Sequence, residues 1–160
     1  MQIKNYIEKV ENSVAYNEWM KSNTDYYLVH VFLMSEKPVQ VGYYSKEHDK
    51  IVTFNIGAGE VSRNEPEESF KEGGEIENLD ISNVMIDIED ARTECEKLRK
   101  EKYSQEVVDK EMIILQTLDG EPTYNITLIT KAFNFINIKM KAQDKTIKEE
   151  KKSSILDLKK

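Results

Sequence analysis

A single cysteine, Cys95, is all that the 160 residues contain. No intrachain disulfide can form, which excludes the cystine framework of small secreted domains. No apolar run approaches the roughly 18 residues that a membrane helix needs, so no membrane span is expected. Positive charge is in deficit too: Lys and Arg number 23 against 30 Asp and Glu, a net charge of −7 with a pI near 5.0. That balance argues against nucleic acid as a partner, because non-specific binding to phosphates needs basic surface. Catalytic signatures are missing as well. There is no HExxH, CxxC, Gly-rich phosphate loop or GxSxG. A non-enzymatic protein is therefore expected, with no catalytic, cofactor-binding or metal residue to name and no cofactor. The opening residues, MQIKNYIEKVEN, lack the apolar stretch of a signal peptide, and a cytoplasmic location is expected.

Hydrophobic residues make up 39% of the chain and charged residues 33%. The apolar ones cluster, so a core is expected where they cluster. From Ile3 to Lys21, Ile3, Tyr6, Ile7, Val10, Val14, Ala15 and Trp19 recur at spacings of three and four and predict one helix. Ser22-Asn23-Thr24-Asp25 should end it. Three strands are expected next: a nearly continuous apolar run from Tyr26 to Met34, an alternating one around Val39, Val41 and Tyr43, and a third over 51–56. From Glu60 to Asp80, eight acids face two bases, Arg63 and Lys71, with Pro66, Gly73 and Gly74 interspersed; this reads as a solvated linker or surface loop. The Ile76 to Ile86 part is less polar, with room for a short strand.

The pattern then restarts. Asp87 is a candidate N-cap with Glu89 and Asp90 in the first turn, and Ile88, Ala91, Cys95 and Leu98 share a helix face that should run to about Tyr103. Strands are expected over 112–118, around Tyr124, Ile126 and Leu128, and over 133–140, with Asp119-Gly120 as a hairpin signal. Laying the second half on the first at an offset of 84 puts 51–56 on 135–140, and all six pairs agree in polar or apolar class. The middle strand needs one residue of slip to place Val39, Val41 and Tyr43 on Tyr124, Ile126 and Leu128. The expected organisation is a first α-β-β-β repeat at 1–59, an acidic linker at 60–86, a second repeat at 87–147 and a Lys-rich tail at 148–160. One unit alone would have a thin core, and two can pair their edge strands. The expected fold is α+β: an antiparallel sheet of six or more strands with two helices on one face.

A helix and three-stranded meander closing on "FNIGAGEV" (54–61) resembles the PepSY-like, peptidase-propeptide-like domains. The run from "IDIEDARTECEKL" through "IILQTLDGEPTYNITLI" to "FINIKMKAQDKTI" (86–147) resembles them more closely. The resemblance covers most of the chain as a tandem pair and rests on pattern. It implies a module that regulates proteases or binds other proteins, in a family usually secreted or membrane-attached, with no catalytic set to carry over. An unknown protein partner is thus expected. A small-ligand carrier or small enzyme with a pocket between sheet and helices is one alternative; a homo-oligomer joined through sheet edges is another.

Individual residues each have a plain reading beside the functional one. His30 falls in a strand. His48-Asp49 with Glu47 could hold a metal, but a solvated turn is the better reading. Cys95 reads as a small buried core residue. Gly57-x-Gly59 follows a strand and opens no helix, so it is no phosphate loop. The acidic loop lacks the spacing of a calcium loop. The end of the chain, Lys145 to Lys160, has six lysines against three acids, and Ile155-Leu156-Asp157-Leu158 offers a terminal strand. Trp19, Tyr26, Tyr27, Tyr43 and Tyr44 could form an aromatic surface, though packing explains them more cheaply. Asn125-Ile126-Thr127 matches a glycosylation triplet but sits in mid-strand.

Overall fold

The computed structural model describes residues 2–68 and 76–155. In chain order the elements are α1 (Ile3–Glu11), α2 (Val14–Met20), β1 (Tyr26–Met34), β2 (Val39–Ser45), β3 (Lys50–Ile56), β4 (Val61–Arg63) and β5 (Glu67–Glu68). A 3-10 turn (Ile81–Asn83) leads to α3 (Ile88–Lys102), then β6 (Val108–Leu118), β7 (Glu121–Thr130), β8 (Asn134–Lys141) and β9 (Ile147–Ser154). The strands form one antiparallel nine-stranded sheet in the order β4-β3-β2-β1-β6-β7-β8-β9, with β5 also paired to β3.

The expected helix from Ile3 to Lys21 is two helices. Ser13 interrupts it, because its side chain competes for backbone partners. The Ser13 hydroxyl donates to Val10 O and accepts from Tyr16 N, so it ends α1 and caps α2. Ile3, Ile7 and Val10 form the buried stripe of α1, and Ile88, Ala91 and Cys95 that of α3. Acids in the first turn of α3 and bases in its last turn complement the helix dipole. Asp87 stands at the N-cap of α3, but its carboxylate accepts the N–H of Ile3 at 2.8 Å and ties the start of α1 to the start of α3.

Alternate residues of the six central strands face the core: Val31 and Leu33, Val41 and Tyr43, Val52 and Phe54, Ile113 and Leu115, Ile126 and Leu128, Ile136 and Ile138. They join the helix stripes in one core, so all three helices lie on one face of the sheet. The two meanders meet edge to edge where Val31 faces Leu115 and Phe32 faces Ile114. This pairing covers an edge that each half alone would expose.

The one-residue slip seen in the sequence reproduces the hairpin register. Val39↔Ile56, Val41↔Phe54 and Tyr43↔Val52 in the first half correspond to Tyr124↔Met140, Ile126↔Ile138 and Leu128↔Ile136 in the second. The first strands depart from the offset. The β1–β2 turn spans 35–38, whereas β6–β7 closes on Asp119-Gly120 alone, both at positive φ. The register consequently places Val31 in the position of Ile113. The offset of 84 lays Pro38 on Pro122, but Pro38 lies in a turn and Pro122 within the ladder, so the two are not equivalent in space.

Two segments differ from expectation. The stretch expected as a linker, 60–86, contributes β4, β5, the 3-10 turn and two core residues, Leu79 and Val84. The short strand foreseen near Ile76–Ile86 is that 3-10 turn; Lys71, Gly73 and Gly74 lie outside the described residues. The expected Lys-rich tail is largely β9, which pairs with β8 along its length. The close at 54–61 and the end of the run 86–147 are both hairpins into a fourth strand, with Gly57 N donating to Glu60 O and Lys141 N to Thr146 O. Of the terminal strand foreseen at 155–158, Ile155 donates its N–H to Phe133 O, and the rest lies outside the described residues.

Candidate functional site

The polar cluster that most resembles a reactive site gathers Asp25, Ser45 and His48. Asp25 immediately precedes β1, Ser45 is the last residue of β2, and His48 lies in the following turn. The Ser45 hydroxyl donates to Asp25 Oδ2 at 2.5 Å and accepts the His48 N–H at 3.1 Å. His48 Nδ1 is 2.9 Å from Asp25 Oδ2 and 3.2 Å from Ser45 Oγ. A carboxylate only accepts, so Nδ1 carries the hydrogen here. These hydrogen bonds, Ser45's first, hold the Asp25 carboxyl below its usual range.

The members are those of a serine triad, but the arrangement cannot relay a proton. A triad places the serine on one ring nitrogen and the acid on the other. Here both approach Nδ1. A similar arrangement, without a histidine, lies in the second half. Thr130, the last residue of β7, accepts the Asn134 N–H at 3.0 Å, and Asn134 Nδ2 donates to Glu106 Oε1 at 2.8 Å. The Thr130 hydroxyl, with Lys152 and Asn134, helps hold the Glu106 carboxyl below its usual range. Each cluster is thus a clasp that pins a hairpin turn to the start of its first strand.

The other residues singled out fall elsewhere. Trp19, Tyr26 and Tyr43 pack with Tyr16 and Phe54 beneath α2, with ring centroids 4.9–6.0 Å apart. The Tyr43 hydroxyl is buried with no hydrogen-bond partner among the described residues. Cys95 is buried in the core, and burial pushes its thiol up to about 12, so it is no nucleophile. Asn125 lies within β7, and its Oδ1 accepts from Asn137 Nδ2 at 2.7 Å, so the residue belongs to the paired sheet and not to a loop of the kind a glycan acceptor occupies.

Because side chains alternate, a second set points to the sheet face opposite the helices. In the first half these include Gln40, Thr53 and Asn55; in the second, Asn125, Thr127 and Asn137, all part-exposed. Their amides are linked within each half: Gln40 Nε2 to Asn55 Oδ1 at 2.9 Å, Asn55 Nδ2 to Asn64 Oδ1 at 2.6 Å, and Asn137 Nδ2 to Thr127 Oγ1 at 3.0 Å. Phe32 and Ile114 face each other at the seam between the halves. His30 also lies on this face, beside Gly42 of β2. Its ring fills the space where a Cβ on Gly42 would stand, 2.3 Å from Cε1, which accounts for the glycine. Burial pushes the His30 imidazole down to about 4, so it is neutral at neutral pH. A depression of about 600 Å³ opens at one end of the face, lined by residues that include Gln116, Leu118, Lys139 and Lys148. Sequence reasoning missed this face as a unit, because its residues come from both halves.

No helix among the described residues is long and apolar enough to cross a membrane. No family model and no curated protein match the chain. A solved structure does: the crystal structure of a candidate lipoprotein from Clostridium difficile 630 is similar, with a TM-score of 0.55 over 86% of this chain and 89% of that one, at 18% identity. At that identity the likeness is one of fold: the antiparallel sheet with helices on one face is an arrangement this chain has in common with a protein of very different sequence.

Proposed function

We propose that the protein is a non-catalytic binding module of the PepSY-like type its sequence resembles, built as a tandem pair, that takes a protein partner on the open face of its sheet. The observation that carries this reading is the placement of all three helices on one side. The other side is a platform that spans both halves. It joins an apolar seam, Phe32 and Ile114, to amide and hydroxyl groups on either flank. Buried apolar area with oriented polar groups around it is the composition of protein interfaces. The tandem reading is supported by the matching hairpin registers and the paired clasps. A cytoplasmic setting belongs to the same reading, in which the one cysteine stays buried and unpaired.

Site-specific photo-crosslinking in cells of origin tests it. A crosslinker at Gln40 or Thr127 on the open face is expected to trap the same discrete protein, and Ile114→Glu to abolish the adducts while the chain stays folded. A crosslinker at Thr93, on the exposed side of α3, should trap nothing specific. Adducts from Thr93 with none from the open face would overturn the reading.

A further inference from the structure

The two clasps differ in one respect that points to a ligand. In the second half, Lys152 of β9 places its ammonium 2.6 Å from the Glu106 carboxylate, so that clasp contains its own cation. Lys152 pairs with Ile136 of β8. Val52 of β3 holds the position of Ile136, but β4 ends at Arg63, opposite Phe54, and Val52 has no partner there. Beyond it β5 resumes the pairing only at Ile51 and Lys50, through Glu67 and Glu68, so no lysine stands opposite Val52. The first clasp carries a second acid instead. Glu47 comes close enough that one ligand atom each from Asp25, Glu47 and His48 lies within 4.8 Å of the others. Among the described residues no Lys or Arg pairs with Asp25 or Glu47.

We propose that Asp25, Glu47 and His48 bind one divalent first-row transition ion, zinc or a similar borderline cation, in the place that Lys152 takes in the other half. One imidazole nitrogen and two carboxylates suit such an ion, whereas calcium and magnesium prefer all-oxygen shells with more ligands. Tetrahedral zinc with bonds of 2.0–2.2 Å sets its ligand atoms roughly 3.3–3.6 Å apart. Asp25 Oδ2 and His48 Nδ1, at 2.9 Å, need to part only slightly, and the exposed Glu47 has room to turn inward. Binding exchanges the Nδ1 hydrogen for the metal; imidazole shifts to the Nε2–H tautomer or loses a proton to water. Glu47 is exposed, so it can be altered without disturbing the core.

The chain makes the test clean. Its other histidine is packed over Gly42 and its one cysteine is buried, so only His48 offers zinc an accessible imidazole or thiol. Zinc titration by calorimetry near pH 7.5 should give one site per chain and a raised Tm. His48→Asn copies the Asn134 of the other clasp and should keep the apo Tm while weakening zinc binding by at least about tenfold, a difference of about 1.4 kcal/mol. Glu47→Gln should weaken it to a smaller degree with the apo Tm unchanged. In NMR spectra zinc should shift the His48 ring signals and leave those of His30 in place. No saturable zinc binding, or binding that survives His48→Asn undiminished, would overturn the proposal. These outcomes concern zinc alone and leave the partner-crosslinking result independent.

Discussion

Lowering the pH from 6.5 to about 4 should cost the fold about 2–3 kcal/mol through His30 alone. In an unfolded chain this imidazole titrates near 6.5, whereas burial holds it down to about 4 in the folded protein. Between those values the unfolded chain binds a proton that the native state does not. Stability therefore rises with pH across the window, is complete above 6.5, and is lost as the pH falls toward 4. The full interval of about 2.5 units corresponds to about 3.4 kcal/mol at about 1.36 kcal/mol per unit, and the residual exposure of His30 reduces it. Carboxyls held below their usual range, such as Asp25 and Glu106, begin to lose their contribution as the pH falls through about 4–4.5, so they overlap only the acid end of this window. Urea unfolding at a series of pH values should show the slope, and His30→Gln should flatten it between pH 4 and 6.5. Gly42→Ala should act in the same way, since its Cβ would meet the ring at 2.3 Å and turn it out to solvent. An unchanged slope in both variants would show that the ring is not held as described.

Leu115→Ala should destabilise the protein by about 2–5 kcal/mol, the range for removing a buried Leu side chain where the surroundings relax only in part. Leu115 is fully buried and faces Val31 at the seam, so the cavity opens where the two halves join. The loss should appear as a shift of one urea transition with its slope retained. Phe133→Ala, at a side chain 65% exposed, should change stability by no more than about 0.5 kcal/mol. Two separated transitions in Leu115→Ala would mean that the halves unfold on their own.

The meanders were legible because their strands are half-buried and alternate. Val39, Val41 and Tyr43 face the core in order, and the Asp119-Gly120 turn marks its hairpin without ambiguity. The outer strands were not legible. β9 reads Ile-Lys-Glu-Glu-Lys-Lys-Ser-Ser and carries charge on both faces, as edge strands do to resist further pairing. Its even-numbered side of Glu150 and Lys152 meets Tyr103, Lys102 and Glu106, and only the fold supplies those partners. The break at Asn12-Ser13 was hidden because the apolar spacing of α1 continues into α2. The clasps were missed for a different reason. Asp25 and His48 are 23 residues apart, and their link is a hydroxyl at a strand end. The slip that aligns Tyr43 with Leu128 also puts Ser45 on Thr130, and that coincidence was the available signal.

An open platform spanning both halves exists only if β1 and β6 weld them into one cooperative sheet. Native-state hydrogen exchange tests this directly. Amides at the seam, such as Leu33 and Ile113, should exchange with the same free energy and denaturant dependence as those of Val41 in one half and Ile126 in the other. That common value should equal the global stability of the chain. Seam amides that exchange early, with β6–β9 still protected after β1–β4 has opened, would contradict a single sheet and, with it, the binding face proposed on it.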